Sequence, residues 1–182
     1  MKLTMNWETL PHIVSIRELL GHALSRGENH LAFRYKDATV PGGIRDVTIG
    51  QFYAQVEALG ARLCELGLSH AHIGCVGENS YPWIVTYLSV MQGGNVFVPL
   101  DKELPEDDLL YLIREGDCEA VFCDAAHEEI LRARREEIPG VRYLISFAQD
   151  THGEEALSFS ALCREGEASD KREYDNASTP EG

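Results

Sequence analysis

The stretch GGNVFVPLDKELPEDDLLYLI, residues 93–113, decides the fold because it joins the end of one helix to a buried strand and then to a second helix. Gly93 and Gly94 interrupt the preceding helical pattern, and residues 96–98 are β-branched or aromatic, which suits a strand buried on both faces. Pro105 fits the first turn of a helix, where the three acidic residues after it complement the positive end of the helix dipole. The stretch therefore predicts one repeat of a parallel α/β sheet.

Strands and helices alternate in the same way along most of the chain. Further strands are predicted at residues 73–76, 120–123 and 141–145, with helices after a cap at Asn79 and Ser80, near residues 105–114 and near residues 126–137. Strands separated by helices of this length form parallel sheets through right-handed crossovers. The predicted fold class is α/β, with a doubly wound parallel sheet of about four strands and helices on both faces.

Two capping boxes mark the helices that precede this sheet. Residues 15–18 (SIRE) and 48–51 (TIGQ) have the form in which each end residue satisfies a backbone N–H of the first turn. The first helix is predicted to end at Gly27 and the second at Gly67. The segment between them is predicted to be a β-hairpin, with strands at residues 31–35 and 44–49.

The apolar density falls after residue 149, where one more short helix is predicted at residues 159–164. The end of the chain, GEASDKREYDNASTPEG, is polar and has no period, which is typical of a flexible tail or linker. The predicted organisation is therefore one domain at residues 1–165 and a tail at residues 166–182.

The composition restricts the partners of the protein. The chain has 182 residues with 44% apolar content, which is ordinary for a globular domain, and a formal charge of −14, which repels nucleic acid. The basic run at residues 132–135 is followed at once by two glutamates. The sequence shows neither a secretory signal nor an apolar window long enough to cross a bilayer, so we expect a cytoplasmic protein.

The five cysteines do not form a recognisable metal or disulfide pattern. Their number is odd, the chain contains no C-x-x-C pair, and two of them, Cys75 and Cys123, fall inside predicted strands. Buried, reduced thiols are the favoured interpretation of all five, at positions 64, 75, 118, 123 and 163.

Three polar residues fall where ligands of open α/β sheets usually bind. Asp101 follows a predicted buried strand, so it is a candidate substrate contact, but a turn aspartate that bonds to nearby backbone N–H groups is the favoured interpretation. Asn79 and Ser80 face the same choice between a ligand contact and a helix cap, and the cap is favoured.

Other candidate sites are weaker. His70 and His72 could supply two imidazoles to a metal, but an exposed turn before the strand is favoured over a zinc site. The cluster Glu106, Asp107 and Asp108 is interpreted as compensation of the helix dipole, because successive helical side chains diverge and do not converge on magnesium. The chain contains no G-x-S-x-G elbow and no Walker or dinucleotide-binding loop. No catalytic, cofactor-binding or metal-binding residue is therefore assigned.

Three motifs in register nevertheless resemble the start of the adenylate-forming enzyme superfamily. VTIGQF at residues 47–52 resembles the family's T-Y-x-E-L, GENS at 77–80 its P-N-S, and LSVMQGGNVFVPLD at 88–101 its L-K-A-G-x-x-Y-V-P-L-D. Ile49 replaces the usual tyrosine and Gly77-Glu78 the usual proline. The resemblance covers about residues 15–165. Within the superfamily, the chain most resembles acyl-CoA synthetases such as long-chain fatty acid–CoA ligases.

The resemblance implies a reaction that uses ATP, Mg and CoA, in which a carboxylic acid, expected to be a fatty acid, forms an acyl-adenylate that a thiol captures. It also implies that the phosphate-binding segment T-S-G-T-T-G-x-x-K follows residue 182, so that the chain is an N-terminal portion, truncated before the phosphate loop, inactive alone and without bound cofactor. Self-association of such a portion is expected. The alternatives are an adenylation domain of a peptide synthetase and a non-catalytic α/β binding module.

Overall fold

The computed structural model describes residues 12–148 and 156–177. Helices and strands alternate along most of this range, as the sequence pattern predicts. The elements are, in chain order, α1 (Ile16–Gly27), β1 (Leu31–Lys36), β2 (Ile44–Thr48), α2 (Ile49–Glu65), β3 (His72–Val76), α3 (Tyr81–Gln92), β4 (Val96–Leu100), α4 (Glu106–Glu115), β5 (Cys118–Cys123), α5 (Ala125–Ala133), β6 (Tyr143–Ser146), β7 (Ala156–Ser158), α6 (Phe159–Gly166) and α7 (Arg172–Ala177).

The main sheet has the strand order β4-β3-β5-β6-β7, and all its neighbouring strands are parallel. In the centre of the sheet, Ile73 on β3 pairs with Phe97 on β4 and with Ala120 on β5. The chain moves one way from β3 to β4 and the other way from β4 to β5, so the direction of winding reverses beside β3. The predicted α/β class and the parallel sheet are confirmed, and β1 and β2 form the predicted antiparallel hairpin.

Alternate residues of the central strands enter two separate cores. Ile73 on β3 and Phe122 on β5 belong to the core beneath α2, α3 and α6, whereas Val76 and Val121 belong to the core beneath α4 and α5. All four side chains are fully buried. Burial of one of these side chains contributes roughly 1.5–3 kcal/mol relative to exposure. The two-residue period of a strand therefore requires helices on both faces of this sheet.

The ends of α2 follow the sequence signals closely. Thr48 accepts a hydrogen bond from the Gln51 backbone N–H, and the Gln51 side chain accepts one from the Thr48 backbone N–H, which completes the predicted capping box. At the other end, Gly67 has φ +73° and Leu68 N–H bonds to the Leu63 carbonyl, as in a Schellman motif. At α1 the box is only partly formed, because Glu18 accepts from Val14 rather than from Ser15.

The structure corrects three predictions about the sheet and its helices. The sheet has five strands rather than about four, because the three-residue strand β7 pairs with β6 and is too short to show a pattern in the sequence. Helix α5 ends at Ala133, and a 3-10 turn at Arg135–Glu137 replaces its predicted last turn. The strand predicted to start at residue 141 starts at Tyr143.

The segment 166–182, predicted to be a flexible tail, contains α7. Tyr174 on this helix is fully buried against Ala61 and Cys64 of α2, so the prediction is wrong for residues 172–177. The segment was predicted to be flexible because its composition is polar, but the single aromatic residue Tyr174 packs against α2 and holds the helix in place. Residues 178–182 of the predicted tail, and residues 1–11, lie outside the described residues.

Two glycines with different backbone conformations test the account of the helix ends. Gly67→Ala places a side chain at φ +73° and is expected to lower the free energy of unfolding by about 1 kcal/mol. Gly21→Ala, inside α1 with open space around its Cβ position, is the matched control and is expected to raise it by about 0.5–1 kcal/mol. Urea unfolding of both variants measures the difference, and a loss of stability at Gly21 would contradict the assignment.

Candidate functional site

The loops that leave the carboxyl ends of β3, β4 and β5 meet beside the point where the winding of the sheet reverses. The loop after β3 leads to α3 beneath one face, whereas the loops after β4 and β5 lead to α4 and α5 on the other face. This divergence opens the kind of crevice in which open α/β sheets bind ligands. We call its polar residues the carboxyl-edge cluster, which consists of Glu78, Asp101, Lys102, Asp124 and His127.

Asp124 and His127 form the centre of the carboxyl-edge cluster. Asp124 is the N-cap of α5, and its Oδ1 lies 3.1 Å from the His127 backbone N and 2.7 Å from the His127 Nδ1. Its second oxygen, Oδ2, accepts a hydrogen bond from the Glu78 backbone N at 3.3 Å. One carboxylate therefore joins the loop after β3 to the start of α5.

Lys102 connects the loop after β4 to the other two loops. Its Nζ lies 2.5 Å from Glu78 Oε1 and 3.2 Å from Glu103 Oε1. Its carbonyl oxygen lies 3.2 Å from His127 Nε2, so the imidazole stands between an aspartate and a backbone carbonyl. The hydrogen bond to Glu78, followed by the one to Glu103, raises the pKa of Lys102 above its ordinary value. The ammonium is therefore charged at neutral pH.

The pKa of Asp124 results from opposed effects. Burial favours the neutral acid and acts to raise the pKa, but hydrogen bonds from the His127 ring and from the His127 and Glu78 backbone outweigh burial. The net effect lowers the pKa below the ordinary value of an aspartate. Asp124 is therefore an ionised acceptor that holds two loops, which is a structural role.

A cleft of about 390 Å³ lies beside the cluster, in the size range of small-molecule sites. Its walls include the Trp83 side chain on α3 and Asn79, Asp101 and Lys102 in the loops. Asp101 Oδ1 accepts a hydrogen bond from the Glu103 backbone N at 2.9 Å. This hydrogen bond confirms the interpretation of Asp101 as a turn aspartate. Asp101 also lies on the wall of the cleft.

The remaining sequence candidates do not join this site. Ser80 caps α3 by accepting a hydrogen bond from the Trp83 backbone N, so of the predicted pair it is Ser80 that makes the cap bond. His72 is the first residue of β3 rather than part of the loop before it, and its Nδ1 lies 2.7 Å from the Gly116 carbonyl. His70 is an exposed residue with φ +57°.

The acidic cluster at the start of α4 makes ion pairs in addition to its place at the helix dipole. Asp107 lies 2.7 Å and Glu106 3.6 Å from Arg134 Nη1, while Glu137 lies 2.7 Å from Arg134 Nε. Arg134, in the basic run at residues 132–135, is thus paired with acids of the same chain. Within residues 12–148 and 156–177, no three histidine, cysteine or acidic side chains converge in a way that could hold a metal ion.

All five cysteines are buried and free, which confirms the prediction of buried, reduced thiols. Burial, with the nearby Asp117 charge, raises the pKa of Cys118 to about 11, and burial raises that of Cys163 to about 12. Such thiols are protonated at neutral pH and poor nucleophiles. Across the part of the chain that the structure describes, no helix has the length and apolar character needed to cross a membrane.

Lys102, Asp124 and His127 were not among the candidate residues predicted from the sequence. Asp124 follows the buried strand β5 just as Asp101 follows β4, and its spacing to His127 is that of an N-cap and the third helical residue. An aspartate directly after each of two predicted strands could have indicated two neighbouring polar loops at the carboxyl edge of the sheet. The order of the strands, which brings the two loops together, could not be derived from these residues.

The fold and the crevice define an open parallel α/β domain with its candidate binding site at the carboxyl edge of the sheet. The model of the AMP-binding enzyme family matches residues 22–180, so the chain belongs to the AMP-binding enzyme family.

Curated relatives include two kinds of enzyme. Nonribosomal peptide synthetase sidC of Aspergillus fumigatus is 33% identical over 85 residues, which are 45% of this chain and 2% of that protein. Long chain acyl-CoA synthetase 6 of Arabidopsis thaliana, described as peroxisomal, is 24% identical over 184 residues, which cover 94% of this chain and 26% of that protein. The chain thus spans about a quarter or less of these relatives.

Solved structures share the fold. The anthranilate CoA ligase AuaEII in complex with anthranoyl-AMP superposes with a TM-score of 0.73 at 18% identity, over 88% of this chain and 30% of that one. The A-PCP didomain of carboxylic acid reductase from Segniliparus rugosus, in complex with AMP, superposes with a TM-score of 0.72 at 14% identity, over 88% and 27%. These comparisons confirm the predicted fold at the start of an adenylate-forming enzyme.

Asp124→Asn tests the role of the central carboxylate. The amide replaces one acceptor oxygen with a donor, and we expect the free energy of unfolding to fall by about 1 kcal/mol at neutral pH. The lowered pKa of Asp124 means that its contribution is present above about pH 4 and is lost as the pH falls further.

The measurement is urea unfolding of both proteins between neutral and acidic pH. Asp108→Asn, which changes an exposed acid at the start of α4, is the control and is expected to have a small effect at every pH. A difference between Asp124→Asn and the parent protein that grows towards low pH would contradict the assigned role.

Proposed function

We propose that this chain is the N-terminal portion of the AMP-binding domain of an AMP-forming acid–thiol ligase of the acyl-CoA synthetase type. In that reaction a carboxylate attacks the α-phosphate of ATP and releases pyrophosphate, and the thiol of CoA then attacks the acyl-adenylate and releases AMP. The family match over residues 22–180 is the single observation that carries the proposal. The polar crevice at the carboxyl edge of the sheet supports it.

The extent of the matches favours a CoA ligase. The Arabidopsis acyl-CoA synthetase aligns with 94% of the chain, whereas the AMB antimetabolite synthetase AmbB of Pseudomonas aeruginosa aligns with 61% and sidC with 45%. The higher local identity of sidC favours the second candidate, an adenylation domain of a peptide synthetase. We also propose a cytoplasmic location, which the five buried free thiols support.

The residues of this chain do not by themselves fit a triphosphate or Mg²⁺. Each acid of the carboxyl-edge cluster already has a partner, because Glu78 pairs with Lys102, Asp101 with the Glu103 backbone and Asp124 with His127. Mg²⁺ takes converging oxygen ligands, and these carboxylates are each turned to a different partner. We therefore derive no catalytic step from them and propose a scaffold role for the cluster.

The proposal places the phosphate-binding segment and the remaining catalytic groups in polypeptide beyond residue 182. The small share of the related structures that the chain covers, 30% and 27%, supports this division. The proposed contribution of residues 1–165 is the sheet and one wall of the substrate crevice. Lys102 lies on this wall, where its ammonium is paired with Glu78 and Glu103 and holds the loop after β4.

The 182-residue chain and the longer ligase are expected to differ in pyrophosphate exchange. The chain alone, incubated with ATP, Mg²⁺ and a panel of carboxylic acids, should give no exchange of labelled pyrophosphate into ATP above a blank without protein. The longer protein should give exchange with its acid and should then transfer the acyl group to CoA. Exchange by the chain alone would show that a triphosphate site has been overlooked.

Transfer by the longer protein to a carrier-protein thiol and not to CoA would favour the peptide-synthetase candidate. No exchange with any acid would favour the third candidate, a non-catalytic α/β binding module. These three outcomes differ in the acceptor or in the exchange itself, so one set of assays separates the candidates.

An apolar stripe on α3 and β4 is expected to promote self-association of the chain. The stripe consists of Trp83, Tyr87, Met91, Val96 and Phe97, with Met91 40% and Val96 46% exposed. Within the described residues β4 pairs only with β3, so its outer edge is also open, and the prediction that this strand is buried on both faces is wrong.

Sedimentation velocity over a range of concentrations measures this association. Val96→Lys, which places a charge on the open edge, should shift the distribution towards monomer. Leu19→Lys, at an exposed apolar position of α1, is the control and should leave the distribution unchanged. A parent protein that stays monomeric at the highest concentration would refute the expectation.

A further inference from the structure

Helix α7 is held by one aromatic side chain in a notch made by glycines. The Tyr174 ring lies over Gly60 of α2, where an added Cβ would overlap the ring atom Cε2. The ring also faces Gly93, at the end of α3, where an added Cβ would lie 3.4 Å from Cε2. The Tyr174 hydroxyl donates to Gln92 Oε1 at 3.2 Å in a buried position. The notch therefore has the shape and the acceptor that fit a tyrosine.

Charged contacts close the notch from the outside. The Arg17 guanidinium of α1 lies 4.8 Å from the centre of the Tyr174 ring, and its Nη1 lies 2.7 Å from Asp175 Oδ1. At the start of α7, Lys171 Nζ lies 2.9 Å from Glu57 Oε2 of α2. Burial raises the pKa of the Tyr174 hydroxyl, so it stays a hydrogen-bond donor. The chain is thus tied to α2 at the start of α7 and to α1 at Asp175 within it.

The last turn of α7 reaches the connection between α3 and β4. Gly94 has φ +69°, and its Cβ position lies 2.9 Å from the Ala177 carbonyl oxygen. Asn95, the next residue, accepts from the Ala71 backbone N and donates to the Leu68 carbonyl, which fixes the start of β4 against β3. The chain therefore leaves α7 from a point set by the sheet itself.

We propose that Tyr174 is a positioning residue that sets the origin of the polypeptide following α7. This inference deepens the proposed function and rests on it, since that function places the phosphate-binding segment after residue 182. With α7 docked, the polypeptide leaves Ala177 from one place, beside the start of β4 and at the opposite edge of the sheet from the crevice. Without the ring, α7 loses its buried anchor, and the phosphate-binding segment must become ordered when ATP binds. Because that ordering costs conformational entropy, ATP binding becomes weaker.

The first experiment compares Tyr174→Ala, Tyr174→Phe and the control Tyr111→Ala in the full-length ligase. Tyr111 is an exposed tyrosine on α4. Tyr174→Ala should raise the KM for ATP in pyrophosphate exchange about tenfold, with the KM for the acid and kcat within about twofold. Tyr174→Phe keeps the ring and should recover most of the ATP affinity. Tyr111→Ala should match the parent enzyme.

A second experiment uses the 182-residue chain and does not depend on ATP. Trypsin cleaves after Lys171 and Arg172, at the start of α7. Loss of the anchor should speed cleavage there about tenfold in Tyr174→Ala, with little change in Tyr111→Ala. Thermal unfolding by circular dichroism verifies that each variant is folded, and Tyr174→Phe serves as the milder variant if Tyr174→Ala is not.

The outcomes separate the two proposals. Normal ATP affinity in Tyr174→Ala, or an equal rise in the KM for ATP and for the acid, overturns the positioning role while the ligase activity stands. A fall in kcat with an unchanged KM for ATP also overturns it, because loss of folded enzyme alone produces that result. Absence of exchange in the parent ligase overturns the proposed function, and unchanged trypsin cleavage shows that Tyr174 does not anchor α7.

Discussion

The burial of β3 and β5 on both faces is the constraint on which the rest of this structure depends. Their side chains alternate between two cores, so the sheet is stable only with helices packed against both faces. To cover both faces, the loop after β3 leads to a helix on one face and the loops after β4 and β5 lead to helices on the other, so the loops diverge beside β3. The crevice beside β3 is therefore a consequence of how the hydrophobic residues are buried.

The charged groups at that crevice are used to hold the loops in place. Asp124 joins the loop after β3 to α5, and Lys102 joins the loop after β4 to Glu78 and His127. A chain with a formal charge of −14 could leave many carboxylates unpaired, but here the acids of the crevice have basic or backbone partners, and Glu106 and Asp107 of α4 pair with Arg134. The arrangement fixes the three loops relative to one another at the carboxyl edge of the sheet.

Much of the fold could be predicted because its signals are local. The capping box at Thr48 and the left-handed glycine at 67 depend on residues within one helical turn, and the apolar strands are short runs of adjacent residues. Asp124 and Lys102 were missed because their contacts depend on the order of strands, which local patterns do not specify. Tyr174 was missed because the glycine that receives it lies in α2, far away in the sequence.

Amide hydrogen exchange followed by NMR tests the central constraint most directly. If β3 and β5 form the doubly buried centre, the amides of Ile73, Cys75 and Val121 should exchange only through global unfolding and share one opening free energy equal to that of denaturant unfolding. The short edge strand β7 should exchange through smaller, local openings. Exchange of the β3 amides that is as fast as that of β7 would contradict the account, because a strand enclosed by two cores cannot open without disrupting both.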